Sequence, residues 1–507
     1  MAVKIIPSYT AKSGAKWYSN ADRLNAYRIA TSMHRRDPNL PNIFVLDPKS
    51  VSPKGIENKK GVVFIVKADV GGVGGHNRVA EEAKSGVAEV LLEESNGMLT
   101  SFYVVGQGDD VAITGTTFID PNAKELHQLF WNAFEQGGVP AVELTAGYGK
   151  GQDLVDKSRV EVSGNVQGAG PGFAYLVCPD EIRDSLGAIQ ATAVYADKAG
   201  PDAYNGPLFD GYGVPFMGHN AWMFSNAVAN GYLFAVQHIE AENLVRDLIK
   251  AGMDPQEAEK RASDEHRIIY LTNKTLKEQI ALGVLLGNTV DFAVRNIYAL
   301  NNDGSIRAMA AAVSTDKLHN IINPKTGQRE YLGKDDPVWL SFVNKIWPAP
   351  GEILATFAKN WIVAGDCRGS HHTILIPKPL NATSTYFSGG LVSAAEVSIR
   401  YDKEGNFYIG ELTDAFELGD PVWDYVRAEG AKKYEGLRKN GFVHPATLEQ
   451  STLEYQTLIQ AIKPALDSEG GWRFVPDMGD EVKKLLAKMK VEDLGVDKVV
   501  SRLKDIK

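Results

Sequence analysis

The sequence predicts a mixed protein of the α/β (α+β) class, and three observations support this prediction. A continuous apolar run over residues 61–66 is typical of a strand buried on both faces. Short apolar segments over 101–105 and 111–114 flank Gly106-Gln-Gly-Asp-Asp110, which is a strand-turn-strand pattern. Asp120-Pro121 then supplies a helix cap and a proline suited to the first helical position. Strands mixed with helices indicate this class.

The remaining elements continue this mixture. Further strands are predicted over 173–178 and 188–195. The helix after Asp120-Pro121 carries an apolar stripe and is expected to end at Gly137-Gly138; the stripe is Leu126, Leu129, Phe130, Ala133 and Phe134. Later helices are predicted over 241–251, 255–267 and 480–490. We find no internal repeat and no low-complexity segment.

The first 60 residues differ from the rest of the chain. Prolines at 38, 41, 48 and 53 interrupt both helix and strand patterns. This stretch is either an N-terminal extension that lies on the main body or a small separate module, and we favour the extension. Length alone, at 507 residues, suggests roughly three domains.

Composition excludes several classes of protein. The net charge is −9 and no basic patch is visible, which argues against a nucleic-acid partner. No stretch approaches the ~18 apolar residues of a membrane span, so no membrane association is expected. The N-terminus lacks a signal-peptide pattern. Two cysteines argue against a disulfide framework, and a cytoplasmic location is therefore predicted.

Potential metal ligands gather where predicted strands end. They are Asp69, His76 beyond a glycine-rich loop, Asp109, Asp110, Gln152, Asp197 beside Lys198, and the pair Asp335 and Asp336. Oxygen ligands of this kind suit Mg²⁺, which leaves positions for water and phosphate. Several ions could share the set in phosphoryl transfer. Each of these residues could instead have a structural or solvent-exposed role. An Asp-Asp pair in a turn, for example, usually has solvated carboxylates.

The segment Tyr331-Leu-Gly-Lys-Asp-Asp-Pro337 has two interpretations. A lysine beside two acids normally forms a surface ion pair. The functional alternative is a Schiff-base lysine, Lys334, with Tyr331 near enough to move a proton. Neighbours in an extended segment point to opposite faces. If Lys334 and Asp335 both act at one centre, this segment is a loop that changes conformation.

These segments, taken in order, resemble one known family. They are Val66-Lys-Ala-Asp-Val70, Gly74-Gly-His76, Gly108-Asp-Asp110, Gly151-Gln-Asp153, Ser163-Gly-Asn165, Gly170-Pro-Gly172, Ala196-Asp-Lys198, Ala203-Tyr-Asn205, Tyr331-Leu-Gly-Lys-Asp-Asp336, Arg368-Gly-Ser-His371 and Glu454-Tyr-Gln-Thr457. Over residues 61–465 the chain resembles the bifunctional fructose-1,6-bisphosphate aldolase/phosphatases of gluconeogenesis. The resemblance implies a single large catalytic domain over 61–465. This leaves an N-terminal extension over 1–60, which the family lacks, and a predicted helical tail over 466–507.

The resemblance also implies a fold and a set of roles. The fold would be a layered α-β-β-α sandwich, assembled into a homo-oligomer, typically an octamer. Several Mg²⁺ ions would be the cofactor and sugar phosphates the small-molecule partners. Lys334 would form the Schiff base and Tyr331 would transfer the proton. The metal ligands would be Asp69, His76, Asp109, Asp110, Gln152, Asp197, Asp335 and Asp336. The substrate-binding residues would be His76, Tyr148, Gly164, Asn165, Lys198, Asn344, Lys345, Arg368 and Tyr455.

Some positions depart from the family pattern. Asn344, followed by Lys345, stands where the family has a glutamine that contacts substrate. Ser388 stands near the position of a family aspartate that contacts substrate. The stretch between Lys198 and Lys334 is longer than in the family. Despite these departures, the resemblance implies condensation of triose phosphates and hydrolysis of the C1 phosphate of fructose 1,6-bisphosphate. The alternatives are a related Mg²⁺-dependent phosphatase or aldolase with another sugar phosphate, and a non-catalytic phosphosugar-binding protein.

Overall fold

A computed structural model describes most of the chain between residues 57 and 439. The described residues are 9–10, 16–17, 40–46, 57–72, 77–145, 154, 170–213, 230–239, 245, 248–249, 252–261, 268–289, 291–314, 316–317, 335–344, 348–365, 372–383, 390–402 and 405–439.

Strands dominate the described part. They are β1 Tyr9–Thr10, β2 Lys16–Trp17, β3 Phe44–Val45, β4 Glu57–Asp69, β5 Ser101–Gln107, β6 Asp110–Ile119, β7 Gly172–Val177, β8 Ala188–Asp197, β9 Tyr232–His238, β10 Ile268–Thr272, β11 Phe292–Leu300, β12 Ile306–Val313, β13 Asp316–Lys317, β14 Val338–Val343, β15 Ile362–Ala364, β16 His372–Ile374, β17 Ile376–Pro377, β18 Leu391–Tyr401 and β19 Phe407–Asp414.

Helices lie between them. They are α1 Glu81–Glu94, α2 Lys124–Asn132, α3 Val139–Thr145, α4 Asn205–Leu208, α5 Pro255–Arg261, α6 Leu276–Gly287, α7 Pro350–Ala355 and α8 Pro421–Lys439. Two π-helical segments cover Ala133–Gly138 and Phe209–Gly213, and 3₁₀ turns cover Asp180–Ile182 and Thr356–Lys359. None of the described helices is long and apolar enough to cross a membrane.

Two sheets form the body of the protein. The first has the strand order β1-β2-β3-β5-β6-β4-β7-β13 and the second β10-β9-β11-β12-β14-β8-β18-β17, with β19 pairing on β18. All pairs in these two sheets are antiparallel except β17 with β18. The predicted strands are confirmed. Four of them extend a few residues beyond the predicted bounds, and the strand predicted over 173–178 is β7, which runs from Gly172 to Val177.

The sheets pack face to face between two layers of helices. Strand β4 shows how: Val63 and Ile65 face the core shared by both sheets, whereas Phe64 and Val66 face the helices α1 to α3. Side chains of α4, α6 and α7 pack on the outer face of the second sheet. This arrangement is one α/β domain with the expected α-β-β-α layering. The apolar run over residues 61–66 agrees with this layering, because both faces of β4 are covered.

Polar bonds cross the core between the two sheets. The hydroxyl of Tyr195 on β8 lies 2.8 Å from that of Tyr103 on β5 and 2.7 Å from that of Thr114 on β6. Ser393 on β18 donates to Gln107 Oε1 at 2.7 Å. Buried polar groups need such partners, so these bonds specify how one sheet sits on the other.

Part of the predicted extension joins the first sheet. Strand β3 pairs with β5 through Phe44 opposite Phe102, and the two rings stack with centroids 4.7 Å apart. The backbone N–H of Leu46 donates to the carbonyl of Thr100 at 3.0 Å. The boundaries at 60 and 465 stay predictions, and the predicted tail over 466–507 lies outside the described residues.

The predicted helix after Asp120-Pro121 is wrong at both ends. The Asp120 carboxylate accepts from the N–H of Asn122 at 2.9 Å, which makes a turn, and α2 begins only at Lys124. At Gly137-Gly138 the chain does not stop but passes through the π-helical segment into α3. Of the other predicted helices, 255–267 is confirmed over Pro255–Arg261, as α5, and residues 262–267 lie outside the described residues. The predicted helices 241–251 and 480–490 lie largely or wholly outside the described residues.

Gly137 is required by packing, and this leads to a testable prediction. A Cβ on Gly137 would overlap the carbonyl of Gly86 on α1, and a Cβ on Gly86 would overlap that of Gly137. We expect Gly137→Ala to lower the free energy of unfolding by about 1–3 kcal/mol, the usual cost of overpacking. Urea denaturation measures it. The control is Gly351→Ala in α7, where a Cβ meets nothing within 4 Å; equal effects at both positions would contradict the packing argument.

Glu396 on β18 predicts a pH-dependent stability. Burial raises the pKa of its carboxyl to about 7, although Thr192 donates a hydrogen bond to it at 2.7 Å. The folded state then holds a proton that the unfolded chain releases above the ordinary glutamate pKa of 4.5, so stability falls as pH rises from there to about 7.

Glu396→Gln removes this titration and keeps the acceptor for Thr192. From about pH 5 to about pH 8, we expect the free energy of unfolding of the variant to rise by on the order of 2 kcal/mol relative to that of the parent. This figure is discounted because the side chain is only partly buried. Chemical denaturation at both pH values measures the gain, and Glu411→Gln on the exposed face of β19 is the control. A pH-independent difference would contradict the assignment.

Candidate metal centre

Acidic side chains meet at one end of both sheets. Asp69 ends β4 and lies directly opposite Asp110, which begins β6. Asp197 ends β8. Asp335 and Asp336 precede β14 with only Pro337 between, and the first residue of β14, Val338, pairs with Tyr195, two residues before Asp197. Antiparallel pairing brings the end of one strand to the start of its neighbour, which is why residues far apart in sequence converge here.

Three carboxylates lie close enough to share a metal ion. Asp109, Asp110 and Asp197 each offer an oxygen, and these oxygens lie within 4.8 Å of one another. All three residues are at most 2% exposed. Gly108, with φ of 60°, makes the turn that sets Asp109 and Asp110 side by side. Like charges this close disfavour joint ionisation, so the set requires neutralising cations.

Two lysines supply part of that neutralisation. Lys198 donates to Asp109 Oδ1 at 2.6 Å and to Asp197 Oδ1 at 3.1 Å. Lys67, buried near the end of β4, forms a short ion pair with Asp110 Oδ2. Sequence reasoning gave Lys67 no role. The sequence nevertheless contained a signal for this ion pair, because a lysine within an otherwise apolar buried strand must have a charged partner.

Asp336 ties the start of β14 to the end of β8. Its Oδ1 accepts from the N–H of Ala199 at 2.8 Å, and its own N–H donates to the carbonyl of Ala199 at 2.7 Å. Asp336 and Lys198 both adopt left-handed backbone conformations, with φ of 51° and 59°. Such conformations cost about 1 kcal/mol or more each and are typical of functional sites held by surrounding contacts.

The electrostatics of the centre favour a bound cation. Burial, together with the nearby Asp109 and Asp110 charges, raises the pKa of Asp197 to about 7. The positive charge of Lys198 offsets only part of this rise. Burial likewise raises the pKa of Asp336 well above its usual range. Burial lowers the pKa of Lys198, but Asp197 and Asp109 outweigh it and the net shift is upward.

The donor set fits a hard divalent metal ion. Four carboxylates, those of Asp109, Asp110, Asp197 and Asp336, and two ammonium groups, those of Lys67 and Lys198, lie together in this centre. Asp197 Oδ2 is buried and has no hydrogen-bond partner in the described part of the chain. A divalent cation would balance the charge and satisfy this oxygen.

The structure places only some of the predicted site residues. Asp69, Asp109, Asp110, Asp197, Lys198, Asp335 and Asp336 lie at these adjoining strand ends, and Asp335 is fully buried. Gly71 N–H donates to Asp69 Oδ1 at 2.8 Å and orients that carboxylate. The predicted residues that lie outside the described ranges are His76, Tyr148, Gln152, Gly164, Asn165, Tyr331, Lys334, Lys345, Arg368, Ser388 and Tyr455.

Asn344 is not brought to this centre. It follows the last residue of β14, whereas Asp335 and Asp336 precede the first. At roughly 3.3 Å per residue, a strand of this length separates its two ends by about 20 Å. Asn344 is also exposed. Its predicted substrate contact stays a prediction that the geometry within one protomer does not support.

The sequence matches known proteins over most of its length. The sequence model of a fructose-1,6-bisphosphatase family matches residues 60–469. A fructose-1,6-bisphosphate aldolase/phosphatase of Thermus thermophilus is 31% identical over 411 residues, covering 81% of this chain and 99% of that protein. Proteins of the same name from Cenarchaeum symbiosum and Methanocaldococcus jannaschii are 31% and 29% identical, over 80% and 84% of this chain and 94% and 95% of theirs.

Proposed function

Because the chain belongs to the fructose-1,6-bisphosphatase family, together with its aldolase/phosphatase relatives, we propose that it is itself a bifunctional aldolase/phosphatase. It condenses dihydroxyacetone phosphate with glyceraldehyde 3-phosphate and hydrolyses the C1 phosphate of the resulting fructose 1,6-bisphosphate. The product is fructose 6-phosphate. The observation that carries this proposal is the buried carboxylate centre of Asp109, Asp110 and Asp197 inside the matched region.

The phosphatase half needs a metal, and we propose Mg²⁺. Asp109, Asp110 and Asp197 would hold it, with Asp69, Asp335 and Asp336 at the same strand ends able to hold further ions. An all-oxygen donor set suits Mg²⁺ better than it suits softer metals. Bound Mg²⁺ stabilises charge on phosphoryl oxygens and makes water a better nucleophile.

Lys198 has a second role in this proposal. It lies between Asp109 and Asp197 and pairs with both. Once cations neutralise those carboxylates, its Nζ can donate to an anionic phosphate oxygen instead. This supports the substrate contact predicted for Lys198. Lys67 has no such freedom, because it is 1% exposed, and it serves to hold Asp110 in place.

The aldol half is assigned to Lys334 and Tyr331. The neutral amine of Lys334 attacks the ketone carbon of dihydroxyacetone phosphate, and loss of water leaves an iminium. Tyr331 moves the proton that generates the carbon nucleophile. Support comes from chain position, because Lys334 directly precedes the buried pair Asp335 and Asp336 at the metal centre.

Assembly and location are also proposals. By the same resemblance we propose a homo-oligomer, an octamer, in the cytoplasm. Light scattering on the full chain tests the assembly, and a monomer at micromolar concentration would contradict it.

The experiment that tests the function measures two products. Phosphate release from fructose 1,6-bisphosphate and condensation of the two triose phosphates are followed with Mg²⁺ and with excess chelator. We expect both activities with Mg²⁺ and no phosphate release with chelator. A panel of other sugar bisphosphates belongs in the same assay, because Asn344 lies far from the centre. Turnover of another phosphoester without turnover of fructose 1,6-bisphosphate would favour the related enzyme with a different substrate.

A further inference from the structure

A cavity of about 550 Å³ lies behind the turn that carries Asp109 and Asp110. It is lined by residues 40–42 and 44, the first two turns of α1, the loop over 379–382, and Arg78, Val104 and Leu418. None of the predicted site residues lines it. Small-molecule sites in proteins fall in this size range, so the cavity is large enough for a ligand of its own.

One wall of the cavity is cationic. Lys84 is only 12% exposed, and its Nζ donates to Asn381 Oδ1 at 2.8 Å and pairs with Glu81 at 2.8 Å. Those bonds use two of its three donors. Arg78, 54% exposed, lies 3.6 Å from the same Glu81 oxygen. Glu81 is 63% exposed, so its carboxylate can turn toward solvent. Lys84 and Arg78 are then available to bind an anionic ligand.

Other lining residues are apolar. Phe44 is held in place by its stacking on Phe102. Leu418 is 60% exposed, which is unusual for a large apolar side chain and leaves it available to cover a ligand. Val104 and Leu380 belong to the same apolar set. A ligand that fits both parts of the lining has an anionic head and an apolar body.

Hydrogen bonds join the cavity to the metal-binding turn. Asn381 Oδ1 accepts from Lys84 and also from the N–H of Gly106 at 2.8 Å. The N–H of Gly108 donates to the carbonyl of Ala382 at 3.1 Å. A ligand that moves Lys84 or Asn381 therefore acts on the residues that directly precede Asp109.

We propose that this cavity is a second binding site, for a small organic anion with an apolar body, and that its occupancy is linked to cation binding at Asp109 and Asp110. The binding part does not depend on the proposed function. Leu40, Pro41, Asn42 and Phe44 lie outside the region matched by the family, whereas the other lining residues lie inside it.

The test uses phenylphosphonate, which cannot be hydrolysed as a phosphate ester, titrated into the full metal-free chain by calorimetry. We expect a dissociation constant of about 0.1–1 mM, the range for a ligand of this size. Arg78→Gln and Lys84→Met should each weaken binding by roughly tenfold. Lys432→Met, on the exposed face of α8, is the matched control and should change nothing.

Two outcomes would overturn the site itself. One is the absence of binding to the parent protein. The other is binding that survives Arg78→Gln and Lys84→Met but is lost in Lys198→Met, because the probe would then occupy the metal centre. For the linkage, saturating Mg²⁺ should change the probe's dissociation constant at least threefold, and the probe should change that of Mg²⁺ by the same factor. Equal constants with and without Mg²⁺ would overturn the linkage.

Discussion

Asp110→Asn is expected to lower magnesium-dependent phosphate release from fructose 1,6-bisphosphate by roughly 10²–10³-fold or more, the usual loss when one stabilising group is removed. The substitution preserves shape but removes a charged oxygen from the three-carboxylate set. It also leaves Lys67 buried beside a neutral amide, since the two side chains form an ion pair in the parent. Both changes lower the affinity of the centre for a divalent cation.

Two measurements separate loss of metal from loss of fold. Calorimetry with Mg²⁺ should show weaker binding or a missing ion in Asp110→Asn, and thermal unfolding without metal shows whether the variant is folded. Asp180→Asn is the control, because Asp180 is 80% exposed and lies outside the centre. Parental turnover together with parental Mg²⁺ binding would contradict the assignment, as would full parental activity in excess chelator.

Lys334→Ala is expected to abolish condensation of the triose phosphates while leaving phosphate release measurable. Only an amine can form the iminium with dihydroxyacetone phosphate, and only its neutral form attacks. Asp335 and Asp336 favour the protonated amine, so bound Mg²⁺ should help by offsetting their charge. Borohydride added with dihydroxyacetone phosphate should therefore trap an adduct on the peptide that contains Lys334.

Mass spectrometry identifies the trapped lysine. Lys274→Ala, at an exposed position, is the control and should retain both the adduct and condensation. Tyr331→Phe should slow condensation by roughly 10²–10⁴-fold, the range for a positioned proton-transfer group. An adduct on a different lysine, or parental condensation by Lys334→Ala, would exclude the Schiff-base assignment. The protein would then be a metal-dependent phosphatase alone.

Local rules failed where distant parts of the chain decided the outcome. Gly137-Gly138 has the pattern of a helix end, but these glycines sit in a continuing helical run because Gly137 packs on Gly86. Asp120-Pro121 forms a turn before α2 rather than its first residues. Lys67 interrupts the apolar pattern of β4, and its partner Asp110 is 43 positions away along the chain.

The sequence by itself determined the class of the fold, the main strands and the acidic strand ends. The apolar run of β4 predicted that both of its faces are buried. The order of the motifs indicated the family. Only the tertiary structure decided that Asp69 lies opposite Asp110, that Asp197 joins Asp109 and Asp110, and that Asn344 lies at the other end of β14. Strand pairing and the packing of the sheets are long-range contacts, and periodicity within one segment carries no information about which distant segment it will meet.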